Sequence, residues 1–356
     1  MEKKMRGWLL YIAILMLLLA ACSKEEKAED VVPEPIEEEE EEEVIVEEEP
    51  VQGPTLYKEP FTGVLSEEES TRRAVLMTIN NHPLARPQSG ISDADIVYEL
   101  AAEGNITRLL ALFQSELPEE IGPIRSARDY FVQISKGLDA FYVAHGYSPD
   151  AKQMLQNRFV DNINGMQYDG TLFNRSKERR APHNSYITKD NVLAGMEKTN
   201  SSIELSVIPA FSFLDSIEGA KIGDIASMLV VRYGTDPDFT STYSYDAEKG
   251  TYNRMVKGIL TVDKSNEKPV ELSNILIFET AHRTIDNVGR QSVDIESGGR
   301  GMMFHAGIEK EIEWENIDGI LTPMENGVPA KLVPGKTWIH IVSTQPGMET
   351  SVTYTP

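Results

Sequence analysis

Arg125, Ser126 and Arg128 stand just after Gly122-Pro123, at the start of an apolar run with helical spacing. Cations there oppose the helix dipole, which favours negative charge at that end. They call for compensation, either by carboxylates or by an anion held together with free backbone N–H groups. Arg108 interrupts an apolar strand-like run, and Arg179-Arg180-Ala181-Pro182-His183-Asn184 is the densest local positive charge in an acidic body. His145 closes a short apolar run ahead of Gly146 and Ser148. Strand ends of that kind are where ligands collect in α/β folds. Together Arg108, Arg125, Ser126, Arg128, His145, Arg180, His183 and Asn184 are expected to line one basic pocket for an anion or carboxylate-bearing ligand. Glu99 and Glu103 are its expected counter-charges. The plainer alternative pairs the arginines with Glu99, Glu103 or Asp129 and makes His145 a structural histidine.

Catalysis in such a pocket would use His145 or His183 as general base, with arginines stabilising an anionic transition state. The hydroxyls on offer are Ser126 and Ser148. No Gly-x-Ser-x-Gly or Ser-x-x-Lys motif, phosphate loop or dinucleotide fingerprint occurs. The six histidines never fall at zinc-site spacing, and no metal or cofactor is expected. The lone cysteine, Cys22, rules out an intrachain disulfide, thiol catalysis elsewhere in the chain and a cysteine metal site.

The elements that must position these residues read as follows. Arg73 to Ile79 is a buried strand ended by Asn80-Asn81-His82-Pro83. Asp95 to Glu103 and Ile106 to Ser115 are strands around a Gly104-Asn105 turn. The spacing of Ile124, Ala127, Phe131, Ile134 and Leu138 predicts a helix over 125–138. Asp139 to His145 is a strand. Pro149 to Arg158 is a helix capped by Ser148, and Lys189 to Thr199 is another. After about residue 205 short alternating runs take over, punctuated by Gly250, Gly298-Gly299, Gly307 and Pro334-Gly335. The expected fold is an α/β or α+β N-terminal domain over 58–205, then a β-rich, largely antiparallel C-terminal domain over 206–356. In that second half Tyr243, Tyr245 and Tyr252 read as cross-strand pairs covering a core, with sugar stacking as the sharper alternative. Trp338 reads as core, and Arg283, Asp286 and Arg290 as a polar loop with a salt bridge.

Ahead of the body, Lys3, Lys4 and Arg6 precede twelve apolar residues, Trp8 to Leu19, and then Leu19-Ala20-Ala21-Cys22. This is the layout of a signal peptide over 1–21. Twelve residues rising ~1.5 Å each are too short for a ~30 Å hydrocarbon core. The last four match the bacterial lipobox, so Cys22 is expected to carry the lipid. Two or three acyl chains at ~0.8 kcal/mol per buried CH₂ make a durable anchor. Residues 22–57 read as an acidic, solvated tether: 23–50 alone hold fifteen acids against Lys24 and Lys27. Of the net charge of −23, that stretch carries −13, and residues 51–356 carry −12. A body of that sign has no general footprint for nucleic acid.

The body resembles the YerB-like bacterial lipoproteins, a two-domain family of unknown biochemical function best known from Gram-positive bacteria. The resemblance rests on Asn81-His82-Pro83-Leu84-Ala85-Arg86-Pro87-Gln88-Ser89-Gly90, Ala94-Asp95-Ile96-Val97-Tyr98-Glu99 and Thr107-Arg108-Leu109-Leu110-Ala111. It continues through Ile121-Gly122-Pro123-Ile124-Arg125-Ser126-Ala127-Arg128, Ala181-Pro182-His183-Asn184 and Gly335-Lys336-Thr337-Trp338-Ile339. It implies a lipid-anchored envelope protein on the extracytoplasmic face of the cell membrane, and no reaction. The reading that follows is a non-catalytic module binding a cell-wall polymer or another envelope protein. A cell-wall hydrolase or transferase and a solute-binding receptor are the alternatives.

Overall fold

The computed structural model describes residues 55–206 and 211–356. The expected signal peptide, Cys22 and nearly all of the acidic tether lie outside the described residues.

In the first half the chain forms β1 (Val75–Asn80), β2 (Ile96–Glu103), β3 (Ile106–Phe113), α1 (Asp129–Gly137), β4 (Phe141–Ala144), α2 (Pro149–Gln156), β5 (Asn162–Asn164), β6 (Ser185–Thr188) and α3 (Lys189–Lys198). Ser148 caps α2 with Pro149 at its first position, and Thr188 caps α3. The second half adds β7 (Met228–Arg232), β8 (Thr240–Asp246), β9 (Thr251–Val256), β10 (Asn274–Thr280), β11 (Gly299–His305), β12 (Ile308–Ile317), β13 (Ile320–Glu325), β14 (Thr337–Ser343) and β15 (Val352–Thr355). The N-terminal region thus mixes helices and strands, and the C-terminal region is strand-rich and mostly antiparallel.

The long strands of both halves share one sheet, in the order β13-β12-β11-β10-β14-β2-β3-β1-β4-β5. The join is β14, which runs parallel to β10 on one side and to β2 on the other, with Thr337 beside both Asn274 and Ile96. β3 is antiparallel to both of its neighbours, β2 and β1, while β1, β4 and β5 are mutually parallel. Six strands, β10, β14, β2, β1, β4 and β5, therefore point the same way. Their carboxyl ends lie along one rim, interrupted by the amino end of β3.

Alternate side chains serve opposite faces. Val75, Met77, Val97 and Leu109 pack with Leu229, Tyr243 and Tyr252 of a second sheet built on β15-β7-β8-β9. Leu76, Leu110, Leu112 and Ile339 pack with Phe131 and Ile134 of α1. With both faces covered, β1 is buried at every position, which is why it reads as an unbroken apolar run.

One expected boundary moves. The helix begins at Asp129, so Arg125 and Ser126 precede it and Arg128 is its N-cap. The backbone of Arg125 is taken instead by two strand ends: its N–H donates to Thr78 O (2.8 Å), and its carbonyl accepts from His145 N (2.9 Å). Those bonds hold 124–127 extended between β1 and β4, against the helical spacing of its apolar residues.

Candidate functional site: an arginine and three histidines on the sheet rim

Three parallel strands end side by side and each delivers a polar residue to the rim. β1 ends at Asn80 and is followed by Asn81 and His82. β4 is followed by His145, and β5 ends at Asn164. Arg125 is wedged between the first two ends, and β6 lies across it, with Ile124 N donating to Ser185 O at 2.7 Å. Gly165 follows β5 because the His145 ring occupies the space any Cβ would need.

The hydrogen-bond partners fix the tautomers of all three histidines. Asn80 Oδ1 accepts from His82 N (3.0 Å), so its amide nitrogen donates to His183 Nδ1 (2.8 Å). His82 Nδ1 accepts from Leu84 N (3.1 Å). Both rings, when neutral, therefore carry their proton on Nε2. They stack, with centroids 4.5 Å apart and planes 30° apart. His145 Nε2 receives Arg175 Nη2 at 2.9 Å, so its Nδ1–H donates to Ser185 Oγ at 2.7 Å.

Burial and nearby cations hold all three imidazoles below their usual pKa. For His82 the charges are Arg125 and Arg86; for His183 they are His82, Arg125 and Arg179; for His145 they are Arg175 and Arg125, partly offset by Asp169. Arg125 is common to all three. Its guanidinium is half-buried, and burial lowers its own pKa. Its Nε is buried without a partner, and no carboxylate among the described residues lies within 4.0 Å of it. A partly desolvated, unpaired guanidinium beside two imidazole Nε2–H donors is an arrangement that stabilises an anion.

The expected single pocket does not form, because its residues sit on different faces. Arg108 and Arg128 lie on the α1 face and both pair with Glu103; Arg108 also donates to Ser126 O at 2.5 Å. Glu99 points to the opposite face, fully buried, and accepts from Asn81, Thr107, Trp338 and Arg254 at 2.9–3.3 Å. Arg180 is exposed, and Asn184 is tied to Arg175 and Ser176 O. Arg125, His145 and His183 are the expected residues that the fold gathers on the rim.

Ser185, His145 and Asp169 are in line, the last with Oδ2 4.0 Å from His145 Nε2. Ser185 is 1% exposed and Arg175 bonds to both the imidazole and Asp169, so the serine oxygen has no approach for a substrate. Ser126 Oγ donates to His145 O, and Ser148 Oγ is the α2 cap. Among the described residues no cluster of three or more His, Cys, Asp or Glu could hold a metal ion, and no helix is long and apolar enough to cross a membrane.

Sequence reading missed Asn80, His82, Arg175 and Ser185. His82 had a usable signal: it lies two residues past a strand carboxyl end, much as His145 lies one residue past another. Tyr243, Tyr252 and Trp338 are core, with Tyr243 Oη bonded to His340 Nε2 at 2.7 Å.

Comparison with known proteins places the chain further. Models for the N-terminal and C-terminal domains of the protein of unknown function DUF3048 match residues 61–202 and 229–339. A Bacillus subtilis (strain 168) protein named "Putative lipoprotein YerB" is 43% identical over 288 residues, which is 80% of this chain and 86% of that protein. The crystal structure of the YerB protein from Bacillus subtilis matches with a TM-score of 0.77 and 40% identity, covering 84% of this chain and 100% of that one.

Proposed function

Since the chain belongs to the DUF3048 family and carries both of its domains in order, we propose that it is a lipid-anchored, extracytoplasmic binding protein that holds an anionic envelope ligand at the Arg125 rim. The lipobox at Leu19-Ala20-Ala21-Cys22 supports the anchor, as does the name of the Bacillus subtilis relative, a putative lipoprotein. The observation that carries the site is the unpaired Arg125 guanidinium beside the stacked His82 and His183. An anion there meets one fixed positive charge and two imidazole donors in an otherwise acidic body.

The phosphates of a teichoic-type polymer and the carboxylates of a peptidoglycan stem peptide both fit this chemistry. The full chain, purified in detergent, is titrated with inorganic phosphate, a soluble polyol-phosphate polymer and muropeptides while its melting temperature is read. A ligand at 100 times its Kd adds about 2.7 kcal/mol of stability. The expected result is a shift in the parent that Arg125→Ala abolishes and His183→Ala reduces. Equal shifts in parent and variants, or no shift with any anion, overturn the reading. The anchor has its own test: Cys22→Ala should move the chain from the membrane fraction to the medium.

A further inference from the structure

The same rim carries a second feature, at the carboxyl ends of its other parallel block. A cavity of about 460 Å³ opens where β2, β10 and β14 end. Its walls include His282, two residues past β10, Ser343 and Gln345 at the end of β14, and Asn105 in the turn after β2. Arg232 closes β7 beside it, and Arg283 completes the ring. The sheet order puts β3 between this block and the strands carrying the Arg125 site, so the two are separate places on one rim.

We propose that this cavity is a ligand site for a small hydroxylated acid, a sugar carboxylate or sugar phosphate, whose charge is met by Arg232 and Arg283. Three observations converge. The volume lies in the range of small-molecule sites, and the carboxyl end of parallel strands is where such sites form. Two arginines and no carboxylate line it, in a chain with 57 acidic residues against 34 lysines and arginines. The Arg283 side chain, exposed on the cavity wall, makes no hydrogen bond or ion pair to the described residues. An exposed guanidinium with no partner in the protein leaves its charge free to meet a ligand. The neutral amides and hydroxyls of Asn105, Gln345 and Ser343 suit hydroxyl groups rather than a second charge. The walls are braced: Arg232 Nη1 donates to Thr353 Oγ1 at 3.0 Å, and Gly234 (φ +117°) leaves open the space that the Asn105 amide fills.

The test is isothermal titration of the full chain in detergent with glucuronate, glucose 6-phosphate, glucose and inorganic phosphate. Binding by at least one of the two charged sugars and none by glucose is expected, and the tighter of the two names the acid. Arg283→Glu, at an exposed position, should melt like the parent and weaken that binding by about tenfold or more, the scale of one lost charge-assisted bond. His282→Gln should weaken it less, and Arg125→Ala should leave it unchanged, which separates this site from the first. Inorganic phosphate binding to the Arg125→Ala chain as tightly as the sugar acids do, or Arg283→Glu binding like the parent, overturns the proposal, as does the absence of binding by both sugar acids.

Discussion

Glu99 and Arg254 come from strands 155 residues apart and meet between the two sheets, each almost wholly buried. Burial pushes the Glu99 carboxyl up, but Arg254, the His340 ring and the Thr107 hydroxyl outweigh it and leave it below the usual range. Arg254 also lies over the Trp338 ring at 4.5 Å and donates to Ser241. Near neutral pH His340 is not a second cation, because burial takes its pKa to about 4; its charge acts on Glu99 only in the acid range, and its nitrogens are occupied by Tyr233 and Tyr243. Removing one member of such a pair strands the other charge, so Arg254→Met should lower unfolding stability by about 3–5 kcal/mol, measured by denaturant titration. His82, His145, His183 and His340 all bind protons less readily when folded than when unfolded. Below pH 6.5 the unfolded chain therefore takes up more protons, and stability falls as the pH drops from there toward about 4. Anion binding at the rim runs the other way, because a protonated His82 or His183 adds positive charge. Melting curves from pH 7.5 to 5 should show the free protein losing stability while the increment added by phosphate grows; His82→Asn with His183→Asn should flatten that growth.

At the level of elements, the two halves are fitted together at a point where neither has a side chain. The carboxyl end of α1 rests on the turn between β12 and β13, and a Cβ on Gly137 would overlap the Gly319 carbonyl. Gly137→Ala forces those backbones apart, and overpacking of that kind costs about 1–3 kcal/mol; a lowered urea midpoint with unchanged slope is the expected readout. The strands and helices themselves were legible: the unbroken apolar run of β1, the Gly104-Asn105 turn, the Ser148 cap and the helix from Lys189 all lie where composition and periodicity put them. The start of α1 was not, because 124–127 is held by hydrogen bonds to Thr78 O and Gly146 O and from His145 N, groups distant in sequence. The site was half legible for the same reason. Charge and strand-end position singled out Arg125, His145 and His183. That Arg108 and Arg128 are neutralised by Glu103 while Glu99 faces the other way depends on strand register, which one sequence does not reveal.

For the whole molecule, the decisive piece is β14, buried over Thr337–Val342 and flanked by β10 from one half and β2 from the other. A chain ending at residue 336 would leave both neighbours with open, apolar edges. It is expected to be degraded by a protease that leaves the full chain intact, and to lack its near-ultraviolet circular dichroism. This placement also sets a clock. A polypeptide leaving the ribosome or a translocation channel travels amino end first, and here the strand that joins the halves comes after every other strand of the shared sheet. Until it emerges, some three hundred residues have no finished sheet to settle into. The polypeptide stays threadable until that strand has passed and locks only then.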